Sequence, residues 1–475
     1  MKKYDLLKVL GITFLIVMLL SWVIPVGVYS NGTFQSLSTA PIGIFDLFKI
    51  PAITAITFIH YGLILLAIGA FYGVLNKTGV YSKIVENIVS KNNKSKSRFL
   101  IITVIIFSLL TSVIGNPMLM FVLVPFFVAV ILKLGYKKIT ALASTVGSIL
   151  VGQIGTTFGF SIWGYLKNVF ALEMTTLIFV RIVLLIIVVT LFILLIRKND
   201  REVSITKRKK NKKEEIIEIP LYSELSSKKS ILPLVVIGIL SFIILALGLY
   251  NWYYAFETEF FINLYTSIVS FKIADYPIFA NLLGSVSQFG FFSNYDLLAI
   301  LIISSLIIGW IYNLKLSDII DGIKDGAKEM IKPAIYSVLA STILMSFINV
   351  MEIYNGDFIF TIVNKFVSGS EQFSLLGTVG STLVSSFAYN DFLTMLSNLY
   401  GVFGLYDTNI VPIIAFIFQS IYSLVMVIAP TSVILLAGLS YLDIQYKEWV
   451  KYIWKFLLIV FGIIVVIAFI LTTLI

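Results

Sequence analysis

Long apolar runs alternate along the chain with short polar or basic stretches, and the runs recur at a length near 20 residues. A helix of that length matches a hydrocarbon core of roughly 30 Å, so the pattern predicts a polytopic α-helical membrane protein. Segments at 8–28, 58–76, 174–197, 231–251, 296–313, 333–350 and 452–474 read as uninterrupted helices. Two hairpins are expected, 98–115 with 117–134 and 372–389 with 391–404, and each is followed by one long segment, 139–165 or 410–442. Pro125, Pro233 and Pro333 read as helix kinks or starts.

Four polar breaks fall at what should be membrane depth. Gly115-Asn116-Pro117 tips the first hairpin, and Gly155-Thr156-Thr157 interrupts the segment after it. The tip of the second hairpin runs from Ser385 and Ser386 to Asn390 and Asp391, and Pro430-Thr431-Ser432 interrupts the next segment. Thr157 follows Asn116 by 41 residues, and Thr431 follows Asn390 by 41. Backbone without helical hydrogen bonds cannot face lipid, so each break must be buried in protein or line a watered cavity. Polar tips and broken helices at matching places in two halves point to a secondary-transporter binding site.

Charge placement supplies the orientation. Lys2, Lys3 and Lys8 put the N-terminus in the cytoplasm by the positive-inside rule. The first segment, basic at its start and lacking a small-x-small cleavage site, is expected to remain as an uncleaved helix. Lysines and Arg98 on both sides of the first hairpin make it open to the cytoplasm, whereas the second hairpin has almost no basic flank and opens outside. Every direction in the second half then reverses the first. The expected organisation is a first inverted repeat at 1–197, a basic cytoplasmic linker at 198–230, an adaptor helix and external loop at 231–295, and a second inverted repeat at 296–475. Hairpin arms of about 17 residues are about 26 Å long at 1.5 Å per residue. Re-entrant hairpins are expected, and paired full spans would give the same parity.

The composition, 59% hydrophobic with 13% charged residues and a mean hydropathy of +1.00, agrees with this class. The net charge of +10 belongs to cytoplasmic loops facing the lipid bilayer rather than to a nucleic-acid surface, because there is no basic soluble domain. Stretch 207–213, KRKKNKK, is expected to lie solvated or against the lipid surface. With no cysteine and one histidine, thiolate and multi-histidine metal sites are excluded and no cofactor is expected.

What remains is neutral hydrogen-bonding chemistry. Asn116, Thr156, Thr157, Ser385, Ser386, Asn390, Thr431 and Ser432, with the helix ends beside Gly115, Pro117, Gly155 and Pro430, suit Na⁺ or a polar solute. Asp391 is the sharpest single residue. A carboxylate at bilayer centre costs about 2.5–3.5 kcal/mol on the insertion scale, so it should face a cavity and hold a coupling Na⁺ or H⁺; at the interface it would be a solvated turn residue. Asn116, Asn390 and Asp391 are the candidate Na⁺ ligands. Arg181 either snorkels outward or meets a substrate carboxylate, and His60 sits at a helix end in a structural role. A channel should show a charged ring or filter repeat. A membrane enzyme acting on lipid or polysaccharide should show an acid–base constellation. Neither is evident, so both stand as alternatives to a transporter, and the protein is expected not to be an enzyme.

Two terminal motifs carry a family likeness. Trp22-Val-Ile-Pro-Val-Gly-Val-Tyr29 with Pro41-Ile-Gly-Ile-Phe-Asp46 resembles the N-terminal signature of the C4-dicarboxylate anaerobic carrier-like family. Ala429-Pro-Thr-Ser-Val-Ile-Leu-Leu-Ala-Gly-Leu and Tyr446-Lys-Glu-Trp-Val-Lys-Tyr-Ile-Trp454 resemble its C-terminal signature. The family lies in the ion-transporter superfamily and includes proteins designated basic amino-acid antiporters. The middle motifs diverge: Gly115-Asn116-Pro117 stands where the family has Gly-Glu-Glu, and Thr156–Phe160 where it has Asn-Pro-Phe after Ser-Thr. Ser385–Asn390 replaces a Pro-Ser-Gly-Ser-Gly-Gln tip, while Leu393-Thr394-Met395 and Pro430-Thr431-Ser432 fit. The resemblance implies inward-tipping hairpins, an elevator-type transport domain moving against a scaffold, a small organic anion or amino acid as substrate, and a homodimer.

Overall fold

The computed structural model describes residues 5–30, 33–208, 219–225, 227–367, 373–403 and 406–474. The apolar runs fold as helices, eight of them among the described residues long and apolar enough to cross a membrane. The protein is an all-α polytopic membrane protein. Two short antiparallel ribbons accompany the helices, Gly27–Ser30 with Thr33–Ser36 and Lys272–Ile273 with Tyr276–Pro277.

The first helix, Asp5–Val23, stops short of the expected residue 28, and Pro25 leads into the ribbon. The first hairpin consists of Lys96–Ile114 and a return arm in two pieces, Pro117–Phe121 and Val124–Lys133, divided just before Pro125. The helix following it ends at Ile154 and resumes at Phe160. The second hairpin is Leu375–Ala388 and Phe392–Phe403, followed by Val411–Met426 and, past its break, Val433–Tyr441.

The expected boundary of helix 333–350 at Pro333 is corrected. Residues 316–332 are already helical and belong to a helix running Leu316–Leu339, so Pro333 lies inside a helix rather than starting one. Its buried positions, Ile319, Gly322, Gly326, Met330, Pro333 and Ser337, recur at three- and four-residue spacing, so one face is buried while the charged residues cover the other. The interruption comes at Ala340-Ser341, after which Thr342–Tyr354 continues. The last helix likewise begins early, at Tyr446, because Trp449 and Ile453 turn inward.

Ile59–Lys77 packs on Leu316–Leu339 along a seam of glycines. A Cβ on Gly73 would lie 1.9 Å from the Gly322 carbonyl oxygen, and one on Gly326 would lie 1.9 Å from that of Gly69. Small residues four apart on both helices let the two backbones touch, as in membrane helix pairs. Lys77 and Asp325 close the end of the seam at 2.8 Å.

Most of the basic stretch 207–213 lies outside the described residues. The linker beyond it is docked rather than free. The Asn76 side chain donates to the Leu221 carbonyl and accepts from the Ser223 amide, both at 3.1 Å. Tyr441 donates to the Pro220 carbonyl at 3.2 Å. Lys133 pairs with Glu224 at 2.6 Å and holds its carboxyl below the usual carboxylate range.

Candidate functional site

At the first break the backbone leaves the helix for five residues, and each exposed carbonyl finds a donor. Gln419 gives its Nε2 to the carbonyls of Ile154 at 3.0 Å and Thr156 at 3.3 Å. Ser112 donates to Gly155 at 3.0 Å, Arg181 to Thr157 at 2.6 Å, and Tyr250 to Phe158 at 2.9 Å. On the amide side, the Ser112 carbonyl accepts from Thr157, Phe158 and Gly159 at 3.1, 3.2 and 3.0 Å. An unpaired peptide group in an apolar interior costs several kcal/mol, so these partners are what let the chain break here. They also leave no carbonyl of residues 154–158 without a donor.

Arg181 does not snorkel: it is fully buried. Its guanidinium stacks 3.6 Å above the Trp163 ring, a contact worth about 2 kcal/mol when desolvated, and its second Nη donates to the Met174 carbonyl. Trp163 in turn donates to Gln419. No carboxylate pairs with Arg181 among the described residues, and its Nε–H has no partner.

The tip of the first hairpin is similarly occupied. Gly115 takes the left-handed conformation, φ +73°, and a Cβ there would lie 2.5 Å from the Gly159 Cα. Only glycine allows this approach of tip to break. Asn116 caps the next helix, its side chain accepting from the Leu119 amide at 3.0 Å, with Pro117 as the first helical residue.

The second break differs. Its first carbonyls are capped by aromatic side chains, Val427 by the Trp449 indole at 2.8 Å and Ile428 by the Tyr446 hydroxyl. Asn390 reaches across from the hairpin tip, its Nδ2 donating to the Thr431 carbonyl at 2.7 Å and to the Ser341 hydroxyl at 3.2 Å. Tyr422 donates to the Asn390 carbonyl at 2.8 Å. Ser432 caps the resumed helix, and Ser386 bonds back to the Thr382 carbonyl at 2.6 Å. Among the described residues, the buried hydroxyls of Ser385 and Thr431 have no partner, as is true of Thr342, Ser381, Ser420 and Ser423.

Asp391 is half-buried. Its Oδ2 accepts from the Thr394 amide and hydroxyl, both at 2.8 Å, so the carboxylate starts the return helix. Among the described residues no hydrogen bond reaches Oδ1. Tyr61, Tyr165 and Tyr422, from three different elements, lie within electrostatic reach of its charge. The tip thus offers one carboxylate oxygen, a hard ligand of the kind that suits a hard cation or a proton. No cluster of three metal-ligating side chains occurs among the described residues. His60, half-buried, packs against Tyr61 with ring centroids 4.2 Å apart.

Residues 5–474 match the C4-dicarboxylate anaerobic carrier family (DcuC). The chain belongs to that family. No curated protein matches it. Among solved structures, the Alcanivorax borkumensis YdaH transporter is 14% identical, with 97% of each chain covered and a TM-score of 0.39. Neisseria gonorrhoeae MtrF, described within a class of antimetabolite efflux pumps, is 11% identical over 98% of this chain and 94% of its own, at a TM-score of 0.37. At these scores neither likeness bears on the fold or the site.

In this carrier the terminal motifs have physical roles. Trp22 donates its indole N–H to the Ile42 carbonyl at 2.8 Å, so the two parts of the N-terminal motif bind each other. Tyr446 and Trp449 of the C-terminal motif cap the second break. The hydropathy pattern singles out neither these aromatics nor Gln419. Their signal is a polar head on a side chain inside an apolar run, which must find a partner when buried.

Proposed function

We propose that the protein is a secondary active transporter of a small organic anion or amino acid, coupled to Na⁺ or H⁺ or running as an exchanger. The observation that carries the reading is the meeting of Asn390 with the Thr431 carbonyl, next to an Asp391 oxygen with no donor among the described residues. C4-dicarboxylates are the first substrates to test, because the family description names them. Asp391 holds the coupling cation, and the unpartnered hydroxyls of Ser385 and Thr431 complete the cation or substrate shell. The first-half residues Asn116, Thr156 and Thr157 act through the backbone they fix, which Arg181 and Gln419 lock.

In this reading the repeats 1–197 and 296–475 are inverted about the adaptor 231–295, the N-terminus and the linker 198–230 are cytoplasmic, and transport is of the elevator type in a homodimer of the cell membrane. Charge placement and the paired breaks support it. No nucleotide-binding motif occurs in the sequence, so the energy comes from a gradient or a counter-substrate.

The test is uptake of radiolabelled succinate, then of arginine and ornithine, into proteoliposomes with and without Na⁺ and pH gradients. Accumulation that follows one gradient is expected. Uptake that survives removal of every gradient and counter-substrate, yet stops without ATP, overturns the reading. A thermal-shift screen of the same compounds narrows the substrate, since a ligand at a hundredfold excess over Kd stabilises by about 2.7 kcal/mol.

A further inference from the structure

Arg181 and Asp357 are the only fully buried charged residues among the described residues, both at 0% exposure. Arg181 belongs to the first break. Asp357 lies just before helix Phe358–Val367 and outside all four breaks. A buried carboxylate is expensive unless donors surround it, and here they come from two directions. Oδ1 accepts from the amides of Ile359 at 2.7 Å and Phe360 at 3.4 Å, capping the helix. Oδ2 accepts from the hydroxyl of Tyr389, the residue immediately before Asn390 at the second hairpin tip. Its backbone carbonyl accepts from the Gly27 amide at 2.9 Å.

The ribbon after the first helix grips the same place. Thr361 donates to the Pro25 carbonyl at 2.7 Å, and Tyr29 donates to Asn364 at 2.9 Å. A Cβ on Gly356 would lie 2.1 Å from the Gly27 carbonyl oxygen, so two backbones are in contact there. The chain of contacts therefore runs from the N-terminal motif through Asp357 and Tyr389 to Asn390, and from Asn390 to Thr431, Ser341 and Tyr422.

We propose that Asp357 is a positioning residue for the site: through Tyr389 it fixes the second hairpin tip, and so Asn390 and Asp391, against the ribbon that follows the first helix. The proposal rests on reading that tip as the binding site, but the placement it asserts can be measured without any substrate. A helix cap alone would need only the amides of Ile359 and Phe360. The Tyr389 bond is the part that serves the tip.

The experiment is hydrogen–deuterium exchange of the purified full chain, comparing wild type with Tyr389→Phe, Asp357→Asn and Asp357→Ala. Tyr389→Phe keeps the helix cap and removes the link. Exchange across 389–395 is expected to rise about fivefold or more, as one buried hydrogen bond is worth, with 358–367 unchanged. Asp357→Asn still caps the helix with its oxygen and can donate to the Tyr389 oxygen, so it should stay near wild type. Asp357→Ala should loosen both segments. If Tyr389→Phe leaves 389–395 unchanged, or Asp357→Ala loosens only 358–367, Asp357 is a helix cap and the proposal fails. Should Asp357→Ala not fold, the Tyr389→Phe result decides alone.

Discussion

Asn390 and Thr431, 41 residues apart in the sequence, are joined by a hydrogen bond of 2.7 Å from the Asn390 amide to the Thr431 carbonyl. It ties a hairpin tip directly to the break that follows it in the second half. In the first half the residues at the same spacing, Asn116 and Thr157, do other things: Asn116 caps its own helix and Thr157 bonds to Ser112. Asn390→Ala should therefore leave the Thr431 carbonyl unpaired, at a cost of about 1–3 kcal/mol. A lower melting temperature together with loss of substrate-induced thermal shift is the expected result, and Asn116→Ala should lower stability with a smaller effect on binding.

Asp391→Asn keeps the acceptor for Thr394 and removes the charge. Folding and insertion should survive, ion-coupled accumulation should disappear, and substrate exchange should persist. Parallel measurement of net uptake and counterflow at equal expression checks this. Normal concentrative uptake would return Asp391 to a role as a helix-starting residue.

Arg181→Ala removes the donor to Thr157 and Met174 and the stack on Trp163. Bonds from charged donors are worth about 1.5–3 kcal/mol each, so a loss of at least about 3 kcal/mol is expected, seen as aggregation or a sharply lower melting temperature in detergent. Arg181→Lys should recover only part of it, because an ammonium cannot bridge two carbonyls and stack at once. An Arg181→Ala protein with wild-type stability but no transport would move Arg181 from the framework to the substrate.

Gly73→Ala places a methyl where the Gly322 carbonyl stands. Overpacking of this kind costs about 1–3 kcal/mol, and here backbone rather than a flexible side chain must yield, so the upper end is expected. Gly11, whose Cβ would meet nothing within 4 Å, is the control: Gly11→Ala should be neutral or slightly stabilising in the same unfolding assay.

Orientation is tested in the cysteine-free chain itself. Single cysteines at Ser223 and at Phe271 should be labelled by an impermeant reagent from opposite sides, Phe271 from outside intact cells. Labelling of Ser223 from outside would reverse the topology.

The breaks are legible in the sequence because glycine, proline and paired polar residues inside an apolar run leave backbone that lipid cannot solvate. The boundary at Pro333 is not legible in the same way, since a charged stretch ahead of a proline looks like a loop until its buried stripe is counted. Arg181 misleads for a different reason. Snorkelling follows from one helix alone, while its real partners, Thr157, Met174 and Trp163, belong to other turns of the chain. Asp357 reads locally only as a helix cap, and its link to the hairpin tip depends on Tyr389, 32 residues on.

The glycine seam between Ile59–Lys77 and Leu316–Leu339 has a consequence for how motion in this carrier is to be observed. Where backbone lies on backbone, there are no rotamers to flip and no slack for sliding, so the two helices form one rigid reference body. Labels placed along them should report a constant distance in every state of the cycle. Any change measured from that baseline to the 389–395 tip then belongs to the tip.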